Sequence, residues 1–193
     1  MFSNIKMDST ELKIVIGPMF SGKTTAIINQ WKINILRQIP TIVVNYSEDN
    51  RYSQTNLSSH DRVEIPCIKL KKLEKIYSFI DESNPLNRKD IKCILINEGQ
   101  FFPDLYNVVK NLLEKYKISV FVSGLDGDYK MQKFGQILDL IPLANSVEKL
   151  HAVCYKCKGQ ADFTMRSISS DEQKIIGTSD IYKATCRKCH ILS

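Results

Sequence analysis

Apolar residues fall along the first 150 positions in short continuous runs separated by amphipathic stretches. Lys13-Ile14-Val15-Ile16 and Thr41-Ile42-Val43-Val44 read as strands, as do Ile91–Ile96 and Val120-Phe121-Val122. The last two are apolar at nearly every position, which predicts strands buried on both faces. Between them lie stripes at helical spacing. Thr24 to about Arg37 carries Ile27, Ile28, Trp31 and Ile35, and Lys69–Ile80 carries Leu70, Leu73, Ile76, Tyr77 and Ile80. Asp104–Tyr116 turns Leu105, Val108, Val109, Leu112 and Leu113 inward, with Asp104 as the expected N-cap. Strand–helix alternation of this kind predicts an α/β fold, a parallel sheet flanked by helices on both faces. From about Leu150 the pattern gives way to polar segments punctuated by cysteines. That shift sets the expected domains at residues 1–150 and 151–193.

Composition narrows the class. The 193 residues, 43% hydrophobic and 25% charged, suit one core-forming domain plus an appendage and exclude a fibre or a disordered tail. The net charge of +6 comes from 27 basic residues against 21 acidic ones, and only 6 of the basic residues are Arg. They are spread along the chain, so they read as a solvated surface rather than a nucleic-acid footprint. No apolar run is long enough to span a membrane. The N-terminus lacks the apolar core of a secretory signal, so the expected compartment is the reducing cytoplasm.

Gly17-Pro18-Met19-Phe20-Ser21-Gly22-Lys23-Thr24 fits G-x-x-x-x-G-K-[ST], set between a predicted strand and a predicted helix. Such a loop folds backbone N–H groups around phosphate oxygens at a helix N-terminus. Lys23 would reach the β- and γ-phosphates, and the Thr24 hydroxyl would ligate Mg²⁺. Asn97-Glu98 follows a buried strand where such proteins place an acidic motif, so Glu98 is the first acid and the candidate general base. Cys154-x-x-Cys157 and Cys186-x-x-Cys189 offer four thiolates, the donor set of a closed structural zinc site. Taken alone, Arg51 and His60 read as ordinary loop residues, although Arg51 could stabilise charge on a transferring phosphate.

In combination these motifs resemble the zinc-containing type II thymidine kinases. GPMFSGKT, EDNRY with SHDR, NEGQFFPD, GLDGDY and the two cysteine pairs follow in that family's order from about residue 13 to 190. The resemblance implies transfer of the γ-phosphate of ATP to the 5′-hydroxyl of thymidine, giving dTMP, with ATP, Mg²⁺ and structural Zn²⁺ bound. It makes Glu98 the catalytic base. It assigns the phosphates to residues 17–24 with Asp49, Asn50, Arg51, Asn97 and Gln100. The nucleoside pocket would comprise Met19, Phe101, Leu125, Tyr129, Thr164 and Tyr182. A lasso-like lid, Gln173-Lys174-Ile175-Ile176-Gly177, would hydrogen-bond the thymine edge through its backbone. Read from the residues alone, the apolar members of this set would be core. The resemblance also implies a homotetramer, no nucleic-acid or membrane partner, and dTTP as a feedback inhibitor able to fill both subsites.

Two positions depart from the family pattern. Asn97 replaces an Asp, so an Asn97→Asp variant is expected to bind Mg²⁺ more tightly or turn over faster. Tyr129 stands where Phe is general, and its hydroxyl needs a partner. The alternatives are a catalytically impaired homologue, motivated by Asn97, and a P-loop ATPase with a zinc-ribbon lobe. A guanine-specific N-K-x-D is absent, which argues against a GTPase, and the segment between the cysteine pairs is not strongly basic.

Overall fold

The computed structural model describes residues 10–47, 56–59, 61–80, 90–167 and 181–192. Six parallel strands form the main sheet in the order β5-β2-β6-β7-β1-β8. They are β1 (Leu12–Ile16), β2 (Thr41–Tyr46), β5 (Ile68–Leu70), β6 (Cys93–Ile96), β7 (Ser119–Gly124) and β8 (Ser146–Lys149). A short antiparallel ribbon, β3 (Asn56–Ser58) with β4 (Glu64–Pro66), precedes β5.

Side-chain alternation along the strands builds two cores, one on each face. Leu12, Ile14 and Ile16 of β1, Ile94 and Ile96 of β6, and Val120 and Val122 of β7 point to one face. There they pack on Leu105, Val108, Val109 and Leu112 of α3 (Leu105–Glu114). Val15, Val43, Leu95 and Phe121 point the other way, onto Ile27 and Ile28 of α1 (Lys23–Leu36). The two central strands, β6 and β7, are buried along their whole length, as their uninterrupted apolar runs predict. Each such side chain contributes about 1.5–3 kcal/mol of transfer free energy on burial.

Three local expectations are corrected. Ile68–Leu70 is an edge strand paired with β2, not the start of a helix. The helical stripe begins only at Leu73, as a 3₁₀ turn over Leu73–Ile76 that runs into α2 (Tyr77–Ile80). Pairing satisfies the Ile68–Leu70 backbone and the sheet buries Leu70, so tertiary contacts outweigh the helical spacing. Ile35 lies on the exposed face of α1. Asp104 occupies the N-cap position of α3, but its side chain does not cap that helix. Instead Oδ1 accepts from Leu73 N at 3.1 Å and Oδ2 from Glu74 N at 2.7 Å, capping the 3₁₀ turn across the fold.

After β8 the chain forms two small antiparallel pairs, β9 (Ala152–Val153) with β10 (Gln160–Ala161) and β11 (Phe163–Arg166) with β12 (Tyr182–Thr185). A short helix, α4 (Arg187–Ile191), completes this lobe. A separate cluster of Ala152, Cys154, Ala161 and Ala184 forms its interior. Among the described residues, no helix is long and apolar enough to cross a membrane.

Candidate active site

The strand order β2-β6-β7-β1 brings four carboxyl-terminal strand ends side by side, the edge at which open parallel sheets bind ligands. The loop leaving β1 turns at Gly17, whose φ of 145° disfavours a side chain. A Cβ there would also collide with the Leu150 carbonyl. The loop closes at Gly22, the left-handed N-cap of α1, which has no side chain of its own to cap the helix. A helix N-terminus that opens on such a glycine loop is suited to an anion. Lys23, only 9% exposed, donates from Nζ to Pro18 O at 2.6 Å and to Ser21 Oγ at 3.4 Å. Its ammonium is thereby held inside the loop, and Thr24 sits half-buried beside it.

Glu98 follows β6 with φ 55° and ψ 42°, a left-handed conformation that costs a non-glycine residue energy and is common at functional sites. Its carboxylate accepts from Gln100 Nε2 at 2.6 Å, and Gln100 Oε1 in turn accepts from Leu125 N at 2.9 Å. One buried amide thus orients the carboxylate and ties it to the end of β7. Gln100, which the family resemblance assigns to the phosphate side, makes these two bonds through Nε2 and Oε1.

Asn97 sits beneath Glu98 and is 2% exposed. Its Nδ2 donates to Asn45 Oδ1 at 3.1 Å and its Oδ1 accepts from Ser123 Oγ at 2.9 Å. The three side chains, all buried, link the ends of β2, β6 and β7 through a neutral network. Asn45 and Ser123 lie just past the apolar runs read as strands, and the observed strands β2 and β7 extend to include them.

The expected pocket residues fall into two groups. Phe101 lies 5.2 Å from the Tyr46 ring and 5.5 Å from that of Phe134, and Leu125, whose amide bonds Gln100, is buried. In the other group, Met19 N donates to Thr164 Oγ1 at 2.9 Å, joining the glycine loop to β11. Tyr129 is capped by the Arg166 guanidinium 3.5 Å from its ring centroid, and Arg166 pairs with the buried Tyr182 across β11 and β12. Asp128 shapes the Tyr129 loop, its Oδ1 accepting from Lys130 N at 2.8 Å and Gln132 N at 2.9 Å. Sequence reasoning missed Arg166 and Asp128, although an Asp beside Gly127 is an ordinary turn signal. Asp49, Asn50, Arg51, His60 and the Gln173–Gly177 segment lie outside the described residues.

Cys154, Cys157, Cys186 and Cys189 converge until their sulfurs all lie within 4.8 Å of one another. Zinc–sulfur bonds of about 2.3 Å imply tetrahedral sulfur–sulfur edges near 3.8 Å. The Cys157–Cys186 separation of 3.7 Å fits that edge. Burial raises the Cys154 thiol, but backbone N–H groups of Cys157, Cys186 and Lys156 outweigh it and bring Cys154 down to about 6. Hydrogen bonding to Cys186, with burial, pushes Cys189 up to about 12. A divalent cation among the four sulfurs would stabilise all of them as thiolates.

The family model described as thymidine kinase matches residues 10–190. The thymidine kinases of monkeypox virus, vaccinia virus (strain Western Reserve) and variola virus are each 38% identical over 185 residues, covering 96% of this chain and 99% of the relative. A likeness running through the glycine loop, the Glu98 strand end and the cysteine lobe alike leaves one assignment: the chain belongs to the thymidine kinase family.

Proposed function

We infer that the protein phosphorylates thymidine, passing the γ-phosphate of ATP to the 5′-hydroxyl and giving dTMP and ADP. The observation that carries this reading is the Glu98 carboxylate. Gln100 fixes it at the sheet edge where the Lys23 loop also opens.

In this reading the residue 17–24 loop binds the ATP phosphates through its backbone amides, and Lys23 shifts from Pro18 O to a phosphate oxygen. Glu98 accepts the proton of the 5′-hydroxyl as the oxygen attacks, and Gln100 keeps the carboxylate aimed. Mg²⁺ would supply charge neutralisation on the phosphates; Thr24 offers it a hydroxyl, whereas the Asn97 amide is already bonded on both sides. Positioning and electrostatics then supply most of the rate. Met19, Thr164, Phe101, Leu125, Tyr129 and Tyr182 wall the nucleoside, and residues 173–177 cover it. Asp49, Asn50 and Arg51 belong to the phosphate side, and the four cysteines hold a structural Zn²⁺ that ties the covering segment at its base. The same reading divides the chain into residues 1–150 and a 151–193 lobe. It also carries over a cytoplasmic homotetramer, inhibited by dTTP, which offers a base and phosphates together.

The test is phosphate transfer from ATP to thymidine, deoxyuridine, deoxycytidine and a no-acceptor control. Thymidine-dependent ADP and dTMP formation is expected. Equal ADP formation without any nucleoside would identify an ATPase instead.

A further inference from the structure

The loop that leaves β7, residues 125–135, has both of its roots on Gln100. At its start, Leu125 N donates to Gln100 Oε1 at 2.9 Å. At its end, Gly135 lies against the Gln100 backbone: a Cβ there would collide with the Gln100 carbonyl oxygen, and its φ of 60° also favours glycine. A bridge between Gly127 and Lys133 pinches the loop, and Asp128 N donates to Gln132 O at 2.8 Å within it. Phe134 adds an edge-to-face contact with Phe101, the ring centroids 5.5 Å apart.

The same side chain reaches the other way to Glu98, whose Oε2 accepts from Gln100 Nε2 at 2.6 Å. Gln100 is 3% exposed, so water competes little for either bond. The amide fits because Gly124, the last residue of β7, carries no side chain. A Cβ at position 124 would collide first with Gln100 Oε1, and would meet Ile137 Cδ1 at 2.9 Å and Gly99 N at 3.1 Å. Glycines at 124 and 135 thus clear the space in which one residue joins the loop to the carboxylate.

We propose that Gln100 is a positioning residue that couples the seating of the 125–135 loop to the aim of the Glu98 carboxylate. The proposal rests on Glu98 being the base and on this loop, which carries Leu125 and Tyr129, walling the nucleoside. A loop seated on the nucleoside holds Leu125 N in place, and Leu125 N holds Oε1. Because the amide is planar, fixing Oε1 also fixes the direction of Nε2, and with it the carboxylate. The aim of the base then depends on an element that touches the acceptor rather than ATP.

The experiment compares steady-state kinetics with ATP and thymidine for the parent, Gln100→Met, Gly124→Ala, the Gln100→Met/Gly124→Ala pair, and Gln100→Met in a Glu98→Gln background. Each is checked for zinc content and thermal melting. Gln100→Met loses both bonds and should lower kcat about 10–100-fold, with the ATP KM within about twofold. Gly124→Ala keeps Gln100 but displaces Oε1, and should lower kcat about tenfold. The pair should be no worse than Gln100→Met alone, and Gln100→Met should add nothing to Glu98→Gln. Should Gly124→Ala fail to fold, Gln100→Asn takes its place: its amide is one methylene too short to hold both partners, so it should match Gln100→Met. A parent without thymidine-dependent turnover would remove the proposed function and this proposal together. With an active parent, an unchanged kcat in Gln100→Met would refute the positioning role alone. Loss in Gln100→Met but not in Gly124→Ala would mean that Gln100 serves Glu98 without the loop, which refutes the coupling. Additive losses in the pair, or in the Glu98→Gln background, would mean that these residues act by separate routes, which also overturns it.

Discussion

Replacing Asn97 by Asp would put a carboxylate in a site that is 2% exposed and bonded to two neutral side chains. Ser123 Oγ can still donate to the new side chain. Toward Asn45, however, a donor becomes a second acceptor 3.1 Å from Oδ1, unless the Asn45 amide turns over. Loss or strain of that bond costs about 1 kcal/mol. Ionisation costs more, since burial raises a carboxyl pKa above its unfolded value near 3.9. A rise of roughly two to three units corresponds to about 3–4 kcal/mol. Because the folded pKa is the higher one, this part of the penalty is absent below about pH 4. It grows as pH rises and is complete above the folded pKa. At roughly 2–4 °C per kcal/mol, the melting temperature should fall by only a few degrees at pH 4 and by about 10 °C or more at pH 8. Thermal melts of both proteins across that range isolate the effect, since Asn97 does not titrate. A gap that stays near zero, or that closes as pH rises, would refute the reasoning. It would mean that a cation faces position 97, and tighter Mg²⁺ binding by Asn97→Asp would then regain its force.

Three further outcomes follow from the same geometry. Glu98→Gln keeps an oxygen for Gln100 Nε2 but cannot take a proton, so thymidine-dependent ADP formation should fall about 10²–10⁴-fold with the ATP KM little changed; a loss under about threefold in single-turnover assays would exclude Glu98 as the base. Chelating a zinc ion bound by the four cysteines would reopen the loop between Cys157 and Cys186, for which chain entropy gives roughly 3–4 kcal/mol. Bound zinc should survive at neutral pH and leave on acidification, as protons compete with it for the four thiolates, which atomic absorption after dialysis would follow. Asp104→Ala removes both caps from the 3₁₀ turn at Leu73 and should cost about 1–2 kcal/mol in denaturant unfolding, with α3 itself intact by circular dichroism.

Periodicity carried the sheet because its central strands are buried on both faces and leave no room for polar residues. Ile94–Ile96 and Val120–Val122 could hardly be anything else. The same rule failed at Ile68–Leu70, where three residues on a sheet edge are too short to show a period and share their spacing with the helix that follows. Strand β8 went unseen for the opposite reason: all four of its residues are exposed, so no apolar pattern marks it.

The sequence by itself determined whatever depends on neighbours in the chain. That covers the glycine loop with Lys23 and Thr24, the acid at Glu98 after its apolar run, and the paired spacing of the cysteines. Each is a local requirement, such as a turn only glycine tolerates or a knuckle only close thiols can make. Tertiary structure decided the partnerships between distant residues. Gln100 serves Glu98 and Leu125, Asn97 joins Asn45 and Ser123, Asp104 caps a turn some thirty residues away, and Arg166 backs Tyr129. Such pairs have no spacing rule, because strand order and register set which side chains meet, and a polar residue shows its role only when its buried hydrogen-bonding atoms find their mates.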